Sequence, residues 1–391
     1  MMKIKTSIKK RLKKTIFWLF RKLPLQNKVV ATTMRGRKFG DNAKAIVAVI
    51  HEKSPDIEIV WLKNYNYNYL LPTWARGVEY FSLFRTYFEL ATAKVWINTH
   101  LYESDWEKRK GQLAVQTWHG GLGIKKIEHD IVGPYGLTEY EKQRVKHTCD
   151  LSDVFISQSD HLTSIYRRAF GYNGPVWKCG YPKNDVLFED NSSAVNKIKN
   201  ALDVDTKFLL YAPTFRQEGG EIDWTPFDID FERLHKTLED TFKGSWTILL
   251  KWHPVLIPFL KGREVPKGVI DVTDYDDMQE LIMAADIMLS DYSSCLFDAA
   301  LREIPCFTYA TDFERYKSER GVYYEMEELP FPYARNNDEL VHIIETFDYQ
   351  DYKKKWAAFK ERTGLYETGH ASYDIAEKII GFLDGKSVNW Q

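Results

Sequence analysis

Two histidines stand just beyond apolar runs, His119 in "LAVQTWHGG" and His253 in "WTILLKWHPVL". An imidazole titrates near neutral pH, so each could take or give a proton in catalysis, or sit satisfied in a tight turn. Gly120 and Gly121 after His119 suit a backbone of positive φ that lets a ligand come close, and Pro254 fixes the chain after His253. Thr214 and Arg216 follow "KFLLYAP", Asp274 and Tyr275 follow "VIDVT", and Asp291, Ser293 and Ser294 follow "DIMLS". The two serines precede an apolar-periodic stretch from Cys295, where their hydroxyls can cap a helix or join its free N–H groups around a phosphate. Arg216 can hold a phosphate by its fork of donors or make an ion pair.

Polar residues that repeatedly follow strands matter because open parallel α/β sheets bind ligands outside the carboxyl ends of their strands. The strand candidates are "KVVAT", "IEIVWL", "KVWINT", "LAVQTW", "DVFISQ" and "PVWKCG", then "KFLLYA", "WTILLKW", "GVIDVT", "DIMLSD" and "PCFTYA". Helical patterns such as "SQSDHLTSIYRRAF" and "YDDMQELIMAAD" fall between them, which predicts parallel sheets with helices on both faces. The two groups of strands are separated by turn-forming residues between Gly180 and Ile198. The expected fold class is therefore α/β, with two Rossmann-like doubly wound domains facing across a cleft and a basic amphipathic helix ahead of them. The expected segments are residues 1–27 for that helix, 28–182 for the N-terminal domain and 183–391 for the C-terminal domain.

A length of 391 residues suits two domains of ordinary size, and 44% hydrophobic with 28% charged residues describes a globular chain rather than a disordered one. The formal net charge of -1 argues against a surface built for nucleic acid, so none is expected as a partner. Cys149, Cys179, Cys295 and Cys306 form no Cys-x-x-Cys pair, so neither a disulfide framework nor a zinc site is indicated, and a reducing compartment fits. There is no Gly-x-Gly-x-x-Gly or P-loop, His119 and Asp130 are no chelating pair, and "EHD" at Glu128 to Asp130 reads as a solvated turn. No metal or cofactor is expected.

Positive charge gathers in "MMKIKTSIKKRLKKTIFWLFRKLPLQNK". On a helix, Ile4, Ile8, Leu12, Ile16 and Phe20 share a stripe, and Lys5, Lys9, Lys10, Arg11, Lys13 and Lys14 cover most of the rest. The apolar run is too short to span a bilayer, which needs about 20 residues, and no signal-peptide cleavage site follows. With Phe17, Trp18 and Phe20 the segment reads as lying on an anionic membrane surface, or as a solvated helix packed on the protein.

Taken in order, "QTWHG", "GYPKND", "YAPTFR", "KWHP" and "SDYSSCLFD" resemble the signature of the CDP-glycerol:poly(glycerophosphate) glycerophosphotransferase family, roughly from Leu90 to Glu345. The resemblance implies a fold similar to GT-B glycosyltransferases and transfer of a polyol phosphate from a cytidine diphosphate donor to a hydroxyl, with CMP released. It places this at the cytoplasmic membrane face, in synthesis of teichoic acid or capsule, on a lipid-linked glycan or polyol-phosphate acceptor. It maps the family's two important histidines onto His119 and His253, and the donor-phosphate contacts onto Ser293 and Ser294 with Thr214, Arg216 and Asp291 nearby. Many members continue the first motif as His-Gly-Thr-Pro; this chain reads His119-Gly120-Gly121-Leu122 and resumes the pattern at Lys125, so the departure falls on the acceptor side. A nucleotide-sugar transferase or epimerase and a non-catalytic scaffold are the rival readings, and homo-oligomerisation stays open.

Overall fold

Runs rich in Val, Ile and Leu that are buried on both faces become strands of parallel sheets, because flanking helices leave neither face to water. In the computed structural model, which describes residues 12–216, 222–388 and 390, thirteen strands form among those residues, most of them from such runs. They are β1 (Gln26–Thr32), β2 (Glu58–Lys63), β3 (Ala75–Glu79), β4 (Ala93–Asn98), β5 (Leu113–Gln116), β6 (Val154–Ser157), β7 (Val176–Lys178), β8 (Lys207–Tyr211), β9 (Trp246–Leu250), β10 (Val269–Asp271), β11 (Ile287–Ser290), β12 (Cys306–Tyr309) and β13 (Tyr333–Ala334). The first seven make one sheet in the order β3-β2-β1-β4-β5-β6-β7, and the other six make a second in the order β10-β9-β8-β11-β12-β13. Every pairing of these strands is parallel, for example Val30 to Val60 and Trp96, and Leu209 to Ile248 and Ile287. Both orders reverse direction once, between β1 and β4 and between β8 and β11, the doubly wound arrangement whose switch point is the usual ligand position.

The chain divides into two compact units, and neither is a continuous block. The first holds the described residues up to His119, Leu137–Asp185 and those from Leu365 onward; the second holds Gly120–Gly136 and Val186–Gly364. This differs from a simple cut between residues 182 and 183, and particular bonds explain both transfers. The "GYPKND" stretch clamps the C-terminal segment to the first unit. Glu367 accepts from the Tyr181 backbone N–H at 3.1 Å and from Asn184 Nδ2 at 3.0 Å. Asp185 then takes the first N–H groups of the helix Ala371–Leu383, at 3.0 Å from Ala371 and 2.7 Å from Ser372. Residues 120–136 are stitched to the strip 319–323 of the second unit, by Tyr323 N to Ile124 O at 2.7 Å, Lys126 N to Gly321 O at 3.0 Å and Val132 N to Arg320 O at 3.1 Å. Gly133 makes this approach possible: its φ is 63°, and a Cβ there would lie 2.6 Å from the Glu319 carbonyl oxygen.

Residues 12–20 are helical, while Ile4, Ile8 and the lysines before them lie outside the described residues. Phe17, expected at a membrane surface, is fully buried, and with Ile16 it joins the core of the first unit beside Tyr87, Leu90, Tyr102 and Trp106. Lys13 and Lys14 pair with Asp105 and Glu107, each at 2.6 Å. This stretch is thus anchored to the protein by one face, and Leu12, which the stripe had placed with Ile16, is exposed along with Trp18 and Leu19. No helix among the described residues is long and apolar enough to cross a membrane.

Candidate active site

In the first unit the turn after β5 brings His119 against the end of β4. Its Nδ1 lies 3.0 Å from the Thr99 carbonyl oxygen. A carbonyl only accepts, so Nδ1 carries the proton and the lone pair of the neutral ring is on Nε2. The ring stacks on His100, with centroids 4.1 Å apart and planes at 11°. Burial first, then the nearby charges of His119, Lys38, Arg144 and Arg37, hold the His100 pKa well below the usual histidine value, so the stacking partner stays uncharged. The strained residue of this turn is Trp118, with φ 54°, and neither Gly120 nor Gly121 takes the positive φ expected of it. Gln116 Oε1 accepts from Trp118 N at 2.9 Å and Asn42 Nδ2 donates to Trp118 O at 3.2 Å, which holds an unfavourable backbone in place. The strain sets the direction in which the next side chain, His119, leaves the chain.

In the second unit the ends of β8 and β11 meet at the switch point. Asp291 accepts from Thr214 N at 2.8 and 3.0 Å and from Tyr292 N at 2.6 Å, and so ties the two strand ends together. Arg216 is buried beneath them. Its Nε and Nη2 grip Asp312 at 2.8 and 3.1 Å, and its Nη1 reaches Thr214 O at 2.6 Å and Asp291 Oδ2 at 3.0 Å. All three of its nitrogens are therefore engaged inside the protein, in three hydrogen bonds and the ion pair with Asp291. Arg216 and Asp291, expected near the donor, are engaged with each other and with Asp312 and Thr214, contacts that hold the strand ends together.

Thr214, Ser293 and Ser294 stand at the same strand ends. The Thr214 hydroxyl is buried with no hydrogen-bond partner among the described residues. Ser294 stands at the start of the helix Cys295–Ala300 with no side-chain capping bond, and Ser293 Oγ accepts from Cys295 N at 3.4 Å. That helix is only 6 residues long, shorter than the apolar periodicity suggested. His253 follows β9 and caps the 3-10 turn Pro254–Phe259, its Nδ1 accepting from Val255 N at 3.3 Å. Its neutral ring therefore carries the proton on Nε2, the reverse of His119.

His100, Asp312, Lys125 and Arg320 were not singled out for a role in the sequence. His100 and Asp312 both follow strands, so the strand-end rule would have reached them; Lys125 and Arg320 gain meaning only from the strip that pairs 124–126 with 321–323.

Two doubly wound parallel sheets with polar switch points define a GT-B-like α/β protein. That fold is shared, at TM-score 0.53 and 14% identity over 93% of this chain and 98% of the other, with a putative UDP-N-acetylglucosamine 2-epimerase from Listeria monocytogenes. The wall teichoic acid polymerase TagF superposes at TM-score 0.82 with 26% identity, covering 96% of this chain and 95% of that one. Residues 15–381 match the CDP-Glycerol:Poly(glycerophosphate) glycerophosphotransferase family, and the chain belongs to that family of transferases. It is 30% identical to a teichoic acid glycerol-phosphate transferase of Staphylococcus aureus, over 96% of this chain and 100% of the relative. It is 26% identical to a teichoic acid poly(glycerol phosphate) polymerase of Bacillus subtilis, of whose length it spans 50% while 94% of this chain is covered.

Proposed function

We propose that this transferase moves a polyol phosphate, in the first instance glycerol phosphate, from a CDP-polyol to a hydroxyl of a membrane-linked acceptor in teichoic acid or capsule synthesis. The observation that carries the reading is the opposite tautomers of the two histidines. His119 Nε2 takes the proton of the acceptor hydroxyl as its oxygen bonds to the phosphorus bearing the polyol. The bond from that phosphorus to the bridging oxygen breaks, CMP departs with the electron pair, and His253 Nε2–H donates a hydrogen bond to the phosphate charge that develops. Thr214, Ser293 and Ser294 offer neutral donors to the same diphosphate. Support for the donor comes from relatives named for glycerol phosphate and from a TagF variant soaked with CDPG, which superposes at TM-score 0.81.

Purified protein offered CDP-glycerol, CDP-ribitol and sugar nucleotides with a lipid-linked acceptor should release CMP from a CDP-polyol and place phosphorus on the acceptor. Release of a nucleoside diphosphate from a sugar nucleotide would instead select the glycosyltransferase reading, which rests on fold alone.

The cytoplasmic membrane face is the proposed location, with peripheral attachment. Trp18 and Leu19 are 51% and 53% exposed on the anchored helix, and Lys22 lies over the Trp18 ring at 4.0 Å, a mix of apolar and basic groups suited to an anionic interface. Replacing Trp18 and Leu19 by Ala should weaken binding to anionic vesicles at low salt without unfolding the protein; equal binding by variant and parent would sink the attachment.

A further inference from the structure

Lys125 sits on the antiparallel bridge to Val322, two residues beyond Gly123, where a Cβ would lie 3.8 Å from the Cβ of Ser294. Its ammonium makes no hydrogen bond or ion pair with any described residue. The charged and titratable groups facing it are Arg320 and Arg216, which disfavour its charge, and Asp291 and Cys295, which favour it. Asp291 is no partner, since its oxygens already serve Thr214 N, Tyr292 N and Arg216. The Arg320 Nε is buried with no hydrogen-bond partner among the described residues, as is the Thr214 hydroxyl. Two cations and a hydroxyl with unused donors, held beside Ser294 by a backbone strip, make a place suited to an anion.

We propose that Lys125 and Arg320, together with Thr214, grip the diphosphate of the nucleotide donor, and that the two cations stabilise the departing nucleotide, while the Arg216 guanidinium is engaged by Asp312, Asp291 and Thr214. This rests on the transferase reading above. Burial, with the two arginines, brings the Lys125 pKa down to about 8. A bound dianion favours the protonated lysine, so donor affinity falls as pH rises through that value.

Calorimetric titration of the full chain with CDP-glycerol and, in parallel, UDP-N-acetylglucosamine tests this at pH 7 and pH 9. Lys125→Met and Arg320→Gln should each weaken CDP-glycerol binding at pH 7 by about 10- to 100-fold, the scale of a lost charge-assisted hydrogen bond. The parent should lose about tenfold in affinity between pH 7 and pH 9, whereas Lys125→Met should be flat and Lys125→Arg should bind well at both. Parent-like affinity and pH dependence in Lys125→Met, with only a lowered melting temperature, would overturn the assignment while leaving the donor reading intact. Binding of UDP-N-acetylglucosamine in place of CDP-glycerol, still weakened by Lys125→Met, would overturn the donor reading and uphold the anion site.

Discussion

His119→Ala should lower kcat by about 100-fold or more while leaving CDP-glycerol affinity unchanged, because the lost group acts on the acceptor's proton. The orientation of His119 explains why an alanine and not merely a shift of the ring is needed. Its Nδ1–H is spent on the Thr99 carbonyl, and the ring is packed between His100 and Trp118. Nε2 is thereby the only nitrogen with a lone pair in the neutral ring. Single-turnover rates beside calorimetry separate the terms. A correctly folded His119→Ala protein that turns over near the parent rate would eliminate His119 as the base.

Arg216→Ala should behave as a stability variant. Removing the guanidinium leaves Asp291 buried without its cation and Asp312 with only Arg315, a change that typically costs about 3–5 kcal/mol. For a unit of this size the loss corresponds to a fall in melting temperature on the order of 10 °C. Asp312 shows the same dependence from the other side. Burial pushes its carboxyl up, yet the Arg216 guanidinium, the Tyr292 hydroxyl and Arg315 outweigh burial and leave the pKa below the usual carboxylate value. A thermal melt of the variant, run with a donor titration, decides between a positioning and a contact role. An unchanged melting temperature with a large loss of donor affinity would mean that Arg216 reaches the donor after all.

Both expected results show where local sequence information stops. The apolar runs named in the sequence overlap all the strands except β3 and β13, which lie at the edges of the two sheets. β3 is "ARGVE" and β13 is two residues long, so neither presents an apolar run, and their pairing comes from the neighbouring strand rather than from their own composition. The ends of strands were equally legible, since a polar residue after a buried run is a local pattern, and this is why His119, His253, Thr214 and the serines were within reach of the sequence. Whether a charged group at such an end faces a ligand is not local. Arg216 meets Asp291 and Asp312, 75 and 96 residues further along, and their carboxylates brace its guanidinium in the buried interior. Lys125 had no role in the sequence beyond resuming a motif, and its setting comes from the strip 319–323 that pairs with its segment. The C-terminal helix likewise has clear helical spacing, but its place in the first unit was decided by Glu367 meeting Tyr181 and by Asp185 meeting Ala371, each across almost two hundred residues of chain. Periodicity is written within a few residues, whereas desolvation and ion pairing belong to whichever groups the folded chain brings together.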